Sequence, residues 1–261
     1  MRTLISFLYC ELLKIYKSRI FIGTIIAFSL APIMGALFVV VLRSPALSES
    51  NSFLETKAAF TGFSPDWPSY LNLIAQAIGI GGIIIFGFIS SWTFGREYSD
   101  RTAKDLLVLP VPRFSIVLSK MLAIFIWCVF LIIIIIVLGL VIGTALQLPG
   151  WSPGNFMFSL RAIAITSILV ILLNTPVTFV ASIGKGYLAP LAFVVLAVVL
   201  AQIIGALGLG TYFPWAVPAI YSKIIGTNSI LNFYSYLILI IVSILGFAGT
   251  YYTWAYMDQT K

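Results

Sequence analysis

Six stretches of this chain, at about residues 20–42, 70–94, 117–146, 159–183, 187–207 and 230–256, run apolar for twenty residues or more. Roughly 20 apolar residues carry an α-helix across a bilayer core. No water reaches the backbone there, so every amide must be satisfied within its own segment, and only helices or closed barrels manage that. Runs of this length predict an all-α polytopic membrane protein with six transmembrane helices. The fourth and fifth runs are parted only by the Gly-Lys-Gly of residues 184–186, which reads as a tight turn. Composition agrees, since 61% of the 261 residues are hydrophobic and 9% charged, against roughly half and a quarter in soluble domains.

The few charges decide orientation. With both termini in the cytoplasm, the inner side carries Arg2, Lys14, Lys17, Arg19, Arg96, Arg101, Lys104, Arg113, Lys120, Lys185 and Lys261. The outer side then carries only Arg43, Lys57, Arg161 and Lys223, so the positive-inside rule is obeyed and the flipped topology violates it. The net charge of +7 therefore reads as a topology signal and not as a nucleic-acid surface. The long loop 43–69 falls outside. Histidine is absent, which removes the usual proton shuttle and the commonest metal ligand. Cys10 and Cys128 lack metal-ligand spacing and read as small packing residues. The N-terminus, with Glu11, Lys14 and Lys17 in its first turns, does not read as a cleaved signal. Leu4, Phe7, Leu8, Leu12 and Ile15 share one face, so residues 1–19 predict an amphipathic elbow helix lying in the interface.

The densest polar stretch is GREYSDRTAKDLLVLPVPR, residues 95–113, on the cytoplasmic side between spans two and three. As a helix it would pair Arg96 with Asp100, Glu97 with Arg101 and Arg101 with Asp105 at four-residue spacing. Pro110 and Pro112 would stop it. A solvated linker could be far shorter and would not need Leu106, Leu107 and Leu109 beside the prolines, so a docking surface is expected. Glu97 and Arg101 would face a partner, pin the helix to the elbow, or form only an intrahelical pair. Arg113 and Lys120 read as membrane-edge anchors.

The segment REYSDRTAKDLLVLPVPRFSIVLSK resembles the cytoplasmic loop of type-2 ABC exporter permeases, although Arg101-Thr102 stands where that family often has Gly-Thr. ELLKIYKSR is similar to the family's elbow helix, and ASIGKGYLAPLAF and YFPWAVPAIYS resemble its bacitracin- and lantibiotic-resistance branch. The resemblance covers essentially the whole chain, as a single exporter transmembrane domain over 1–261. It implies a multi-pass protein of the bacterial cytoplasmic membrane that works as a dimer with a second copy or a related permease. Residues 95–113 would be the coupling helix that docks on a separate ABC ATPase, with Glu97, Asp100, Arg101, Lys104 and Arg113 as coupling residues. ATP and Mg would sit on that partner, with no cofactor and no catalytic residue in this chain. The chain has no G-x-x-x-x-G-K-[ST] of its own, because Lys185 is followed by Gly186. The substrate implied is an amphipathic molecule, such as an antimicrobial peptide or lipid-like compound, moved or extracted from the bilayer. An immunity or regulatory complex without true transport is the alternative within the family.

Those six runs hold no Asp, Glu or His, which argues against an ion-coupled secondary transporter and against a membrane enzyme needing an acid–base pair. Asn72 and Gln76 in span two, and Ser167, Asn174, Thr178 and Ser182 in span four, fall on single helical stripes. They are candidates for a substrate path, with hydrogen-bonded helix contacts as the plainer reading. Pro176 predicts a kink in span four. Residues 209–228 hold Tyr212, Phe213 and Trp215 followed by Pro218, too broken for a span. They predict a short re-entrant or interfacial helix acting as an outer gate, or else an aromatic anchor for span six.

Overall fold

The computed structural model describes residues 2–43, 63–108, 110–224 and 231–256, and among these every regular element is a helix. An N-terminal helix α1 (Arg2–Tyr16) turns at Lys17-Ser18 into α2 (Arg19–Arg43). The turn is built by Ser18, whose hydroxyl donates to the Ile15 carbonyl and accepts from the Phe21 amide. The second span is α3 (Trp67–Ala77), a π-helical turn (Ile78–Gly82) and α4 (Ile83–Ser99). A short α5 (Ala103–Val108) leads to α6 (Arg113–Ala145), the third span. The fourth span is α7 (Pro153–Leu172) and α8 (Asn174–Gly184), and the fifth is α9 (Leu188–Ala206). Two 3₁₀ turns (Gly210–Tyr212, Pro214–Ala216) and α10 (Val217–Tyr221) precede α11 (Phe233–Tyr256), the sixth span. All six helices expected from the apolar runs are present, and each is long and apolar enough to cross a membrane.

Span two is the most enclosed of the six. Its α3 lies against α7 and α2, while its α4 lies against α8, α9 and α6. Close approach depends on small residues. A methyl group at Gly87 would sit 2.6 Å from Val194 on α9, and one at Gly249 would sit 2.6 Å from the Phe179 ring on α8. Tyr70 ties α3 to α2 by donating to the Pro32 carbonyl at 3.0 Å. Faces turned away from the bundle are apolar, as Ile22, Ile26 and Leu37, Ile133 and Val141, and Ile244 and Leu245 show. Exposed aromatic residues collect at two levels on α11, at Phe233 and Tyr234 and again at Tyr252 and Tyr256. Tyr234 and Tyr252 are about 27 Å apart at about 1.5 Å of rise per residue, close to the thickness of a hydrocarbon core.

The kink expected from Pro176 is present as a break at Leu173, because proline's ring and missing N–H do not allow the helix to run through its preceding turn. The stretch after Ser99 differs from the expectation. The single helix over 95–109 is two, since α4 ends at Ser99 and Arg101 takes a left-handed φ of 58°. Arg96 and Asp100 do pair at 2.9 Å. Glu97 pairs instead with Lys14 and Lys120, and the left-handed turn carries Arg101 off the helical register that either of its own expected pairs requires. Among the described residues, four that are not glycine end helices in the left-handed region: Arg101, Gln147, Lys185 and Lys223. Leu109, most of the loop 43–69 and residues 225–228 of the outer segment lie outside the described residues, as do Lys57 and Lys261.

Candidate functional site

Two carboxylates and two amines meet where α1, α4 and α6 converge. Lys120 stands two turns into α6 and is completely buried. Its Nζ lies 2.7 Å from a Glu97 Oε1 and 3.0 Å from a Glu11 Oε1. Lys14 closes the square from α1, at 3.0 Å from each of the same two carboxylates. The Thr102 hydroxyl donates to the second Glu97 oxygen, which holds the turn after α4 against the cluster. Glu11 and Glu97 are 5% and 2% exposed. Charges so enclosed persist only when paired and hydrogen-bonded, and here two of each sign cancel. Burial alone would lower the Lys14 pKa, but Glu11 and Glu97 beside it outweigh burial and hold it above its usual value.

This arrangement corrects the expectation that Lys120 is an anchor at the membrane edge. The residue falls in register with Ile116, Ile124, Trp127 and Leu131, the face of α6 that packs inward. A lysine inside an apolar stripe must bring its counter-ions with it, and that register is the signal that marks it. Glu97 likewise continues the inward stripe of Phe86, Ser90 and Phe94. Being buried, it pins span two to the elbow helix and only borders the cleft beside it.

The other expected coupling residues separate by exposure. Asp100 and Arg101 are exposed, as are Asp105 and Val108 on α5. Lys104 belongs to the same short helix, but its side chain lies outside the described residues. Arg113 donates to the Ala255 carbonyl at 2.6 Å and the Trp254 carbonyl at 3.3 Å, so it caps the end of α11. Two open clefts flank the cluster. One of about 260 Å³ is lined by Arg96, Asp100, Thr102, Asp105 and Leu106, and another of about 610 Å³ by Lys17, Arg19, Trp92 and Tyr187 among others.

The expected path residues divide as well. Ser167 and Ser182 are buried and donate to carbonyls one turn back, at Ile163 and Thr178. Asn174 contacts Cys128 Sγ at 3.6 Å, Thr178 meets the Thr250 hydroxyl at 3.1 Å, and Trp254 donates to Ser182 at 3.1 Å. The span-four stripe therefore spends its hydrogen bonds on its own preceding turns and on contacts with spans three and six. Asn72 and Gln76 are only half-buried, and Asn72 opens onto a cavity. In the outer segment Tyr212 is exposed, Phe213 half-buried and Trp215 buried. The Trp215 ring packs on Phe193 of span five at 5.3 Å and on Phe213 at 5.6 Å.

A family model described as ABC-2 family transporter protein matches residues 7–203, a range that takes in most of the elbow helix, the charged cluster, the first four spans and most of the fifth. The chain is also 27% identical over 169 residues to the bacitracin transport permease protein BCRB of Bacillus licheniformis, which covers 65% of this chain and 81% of that relative. With six membrane-length helices and a match over most of its length, the chain belongs to the ABC-2 transporter family as a multi-pass membrane permease.

Proposed function

We propose that this chain is the membrane subunit of an ATP-driven exporter that moves or extracts an amphipathic substrate, and that residues 95–113 couple it to a separate ATPase. The observation that carries the reading is the buried square of Glu11, Lys14, Glu97 and Lys120. It welds the elbow helix, the end of span two and the start of span three into one block. The exposed turn and helix at 100–108 project from that block. A push on Asp100, Arg101 or α5 would therefore move two spans and the elbow together and would not be absorbed in a soft loop. Coupling would use Asp100, Arg101, Lys104 and the exposed Asp105 and Val108. Glu97 and Arg113 would transmit the movement from inside the bundle.

The amphipathic substrate, and an antimicrobial peptide in particular, is supported by the likeness to the bacitracin permease. ATP and Mg would be bound by the partner chain, and a second permease subunit would complete the path. Asn72 and Gln76 are the path residues most open in this chain, and the segment around Trp215 would act as the outer gate. Replacing Arg101 and Val108 together by Glu tests the assignment, since both are exposed and the fold does not depend on them. The variant should insert normally yet lose co-purification with its ATPase partner, or lose its stimulation of ATP hydrolysis. Assembly and export equal to the parent would make 95–113 a mere linker.

A further inference from the structure

At the end of the bundle opposite Lys120, a cavity of about 510 Å³ opens between the starts of α3 and α7 and the end of α10. Its walls carry Ser69, Asn72, Ser159, Arg161, Tyr221 and Lys223, and among the described residues no acidic side chain lines it. Arg161 and Lys223 are both exposed, and neither has an ion pair among the described residues. Ser159 is 6% exposed, and neither it nor Asn72 hydrogen-bonds to another described residue. Asp66, at the start of the same α3, is already engaged. Its carboxylate caps the helix by accepting from the Ser69 amide at 2.9 Å and also accepts from the Ser64 hydroxyl.

The position of Lys223 is fixed at a cost. It holds a left-handed φ of 61°, a conformation that disfavours a side chain. The turn is clamped by the Ile224 amide donating to the Ala219 carbonyl at 2.9 Å. Behind it, Ser222 is wedged against the π-helical turn of span two, where a methyl group on Gly79 would come 2.7 Å from the Ser222 Oγ. Strain and π-turns gather where a side chain must be aimed.

Two cations without an ion pair among the described residues, an amide and the hydroxyls of Ser159 and Tyr221 around one cavity complement a compact anion that accepts many hydrogen bonds. A phosphate fits, with the guanidinium fork and the ammonium sharing its oxygens. The rim is apolar, since Phe158 and Met157 on α7 are 71% and 64% exposed. Spans two and four are 33 and 32 residues long, about twelve more than a bilayer core needs. Asn72 and Arg161 fall in the second and third turns of α3 and α7, within about twelve residues of the helix starts, and thus have room to stand in the headgroup layer. We propose that this cavity binds the phosphate headgroup of an amphiphile, with Arg161 and Lys223 pairing its oxygens and its chains lying along the Phe158 side. The site is the same whether that amphiphile is cargo or a resident lipid, so it does not rest on the export reading.

The test is lipid binding by the full chain purified in neutral detergent, read by native mass spectrometry. Dioleoyl phosphatidic acid is titrated against dioleoyl glycerol, which has the same chains and no phosphate. The parent should retain the phosphatidic acid and not the diacylglycerol. Arg161→Gln with Lys223→Gln should weaken retention by about ten-fold or more, while Arg161→Lys with Lys223→Arg should keep it. Lys17→Gln, an exposed cation at the other end, should leave lipid retention unchanged. Displacement of the lipid by millimolar inorganic phosphate would identify the anion alone as sufficient. Failure of that displacement would identify the esterified headgroup, and either supports the site. Equal retention of the two lipids, or equal retention by the parent and the double Gln variant, overturns it. Size-exclusion profiles that match the parent rule out misfolding as the cause of a loss.

Discussion

Replacing Lys120 by Met should destabilise the bundle far more than replacing any surface charge. The ammonium is fully buried and neutralises two carboxylates that are themselves 5% and 2% exposed. Without it Glu11 and Glu97 face each other with only Lys14 between them, and that side chain is 34% exposed. Breaking a buried pair by removing one partner costs about 3–5 kcal/mol. The Arg96–Asp100 pair offers an internal control, since its side chains are 33% and 49% exposed, and Arg96→Ala should cost under about 1 kcal/mol. The decisive variant is Glu97→Leu combined with Lys120→Met. Each single change leaves one uncompensated buried charge, whereas the double leaves Glu11 and Lys14 as a neutral pair. The double should therefore be more stable than the sum of the singles by at least about 2 kcal/mol. Thermal unfolding in detergent, followed by helical circular dichroism, reads this directly. At about 2–4 °C per kcal/mol, Lys120→Met alone should lower the midpoint by about 6–20 °C, and Arg96→Ala by a few degrees at most. Equal small shifts for the two, or strict additivity in the double, would show that the square contributes no more than a surface pair.

Gly246→Ala should prevent spans four and six from closing, because the added methyl group would lie 2.6 Å from the Thr175 carbonyl carbon and against the Pro176 nitrogen. Gly23→Ala, with nothing within 4 Å, should be tolerated, and expression with monodispersity checks both. Trp215→Phe keeps most of the packing on Phe193 and should leave insertion and ATPase assembly intact while lowering transport. Trp215→Ala should cost about 3–5 kcal/mol as a cavity, and transport at parental level in both variants would leave the segment as an anchor. For orientation, single cysteines at Asn155 and Ser99, both exposed, are placed in a chain freed of Cys10 and Cys128. An impermeant thiol reagent on intact cells should label position 155 and not 99, and the reverse pattern would overturn the charge-based topology.

The helices were legible because their signal is additive. Twenty apolar residues in a row leave one solution in lipid, and span positions at Trp67–Ser99 or Phe233–Tyr256 follow within a few residues. Pro176 was readable for a similar reason, since its effect on the backbone is local. The charged square was not legible in that way. Glu11, Glu97 and Lys120 lie far apart in sequence, and four-residue spacing suggested local partners for Glu97 that a left-handed Arg101 removes. Only tertiary contact tells a buried lysine from a membrane-edge lysine, although the inward register of Lys120 on α6 hinted at it. The same holds for the serine and threonine stripe of span four, whose partners sit on α6 and α11.

Three of the four left-handed helix ends are basic residues, Arg101, Lys185 and Lys223. Each would cost about 1 kcal/mol less as glycine, the residue that terminates helices with least strain. Each also contributes to the tally of cations that tells the insertion machinery which loop stays inside. A stabilising programme that swapped such positions for glycine would relieve strain at Arg101 and Lys185 while, on the topology expected from the charges, eroding the cation bias of the inner side. At Lys223 the swap would strengthen that bias. Helix termination and membrane topology are thus written in the same letters here, and thermostable variants of this permease are better sought at Gly23 or on lipid-facing positions than at its turns.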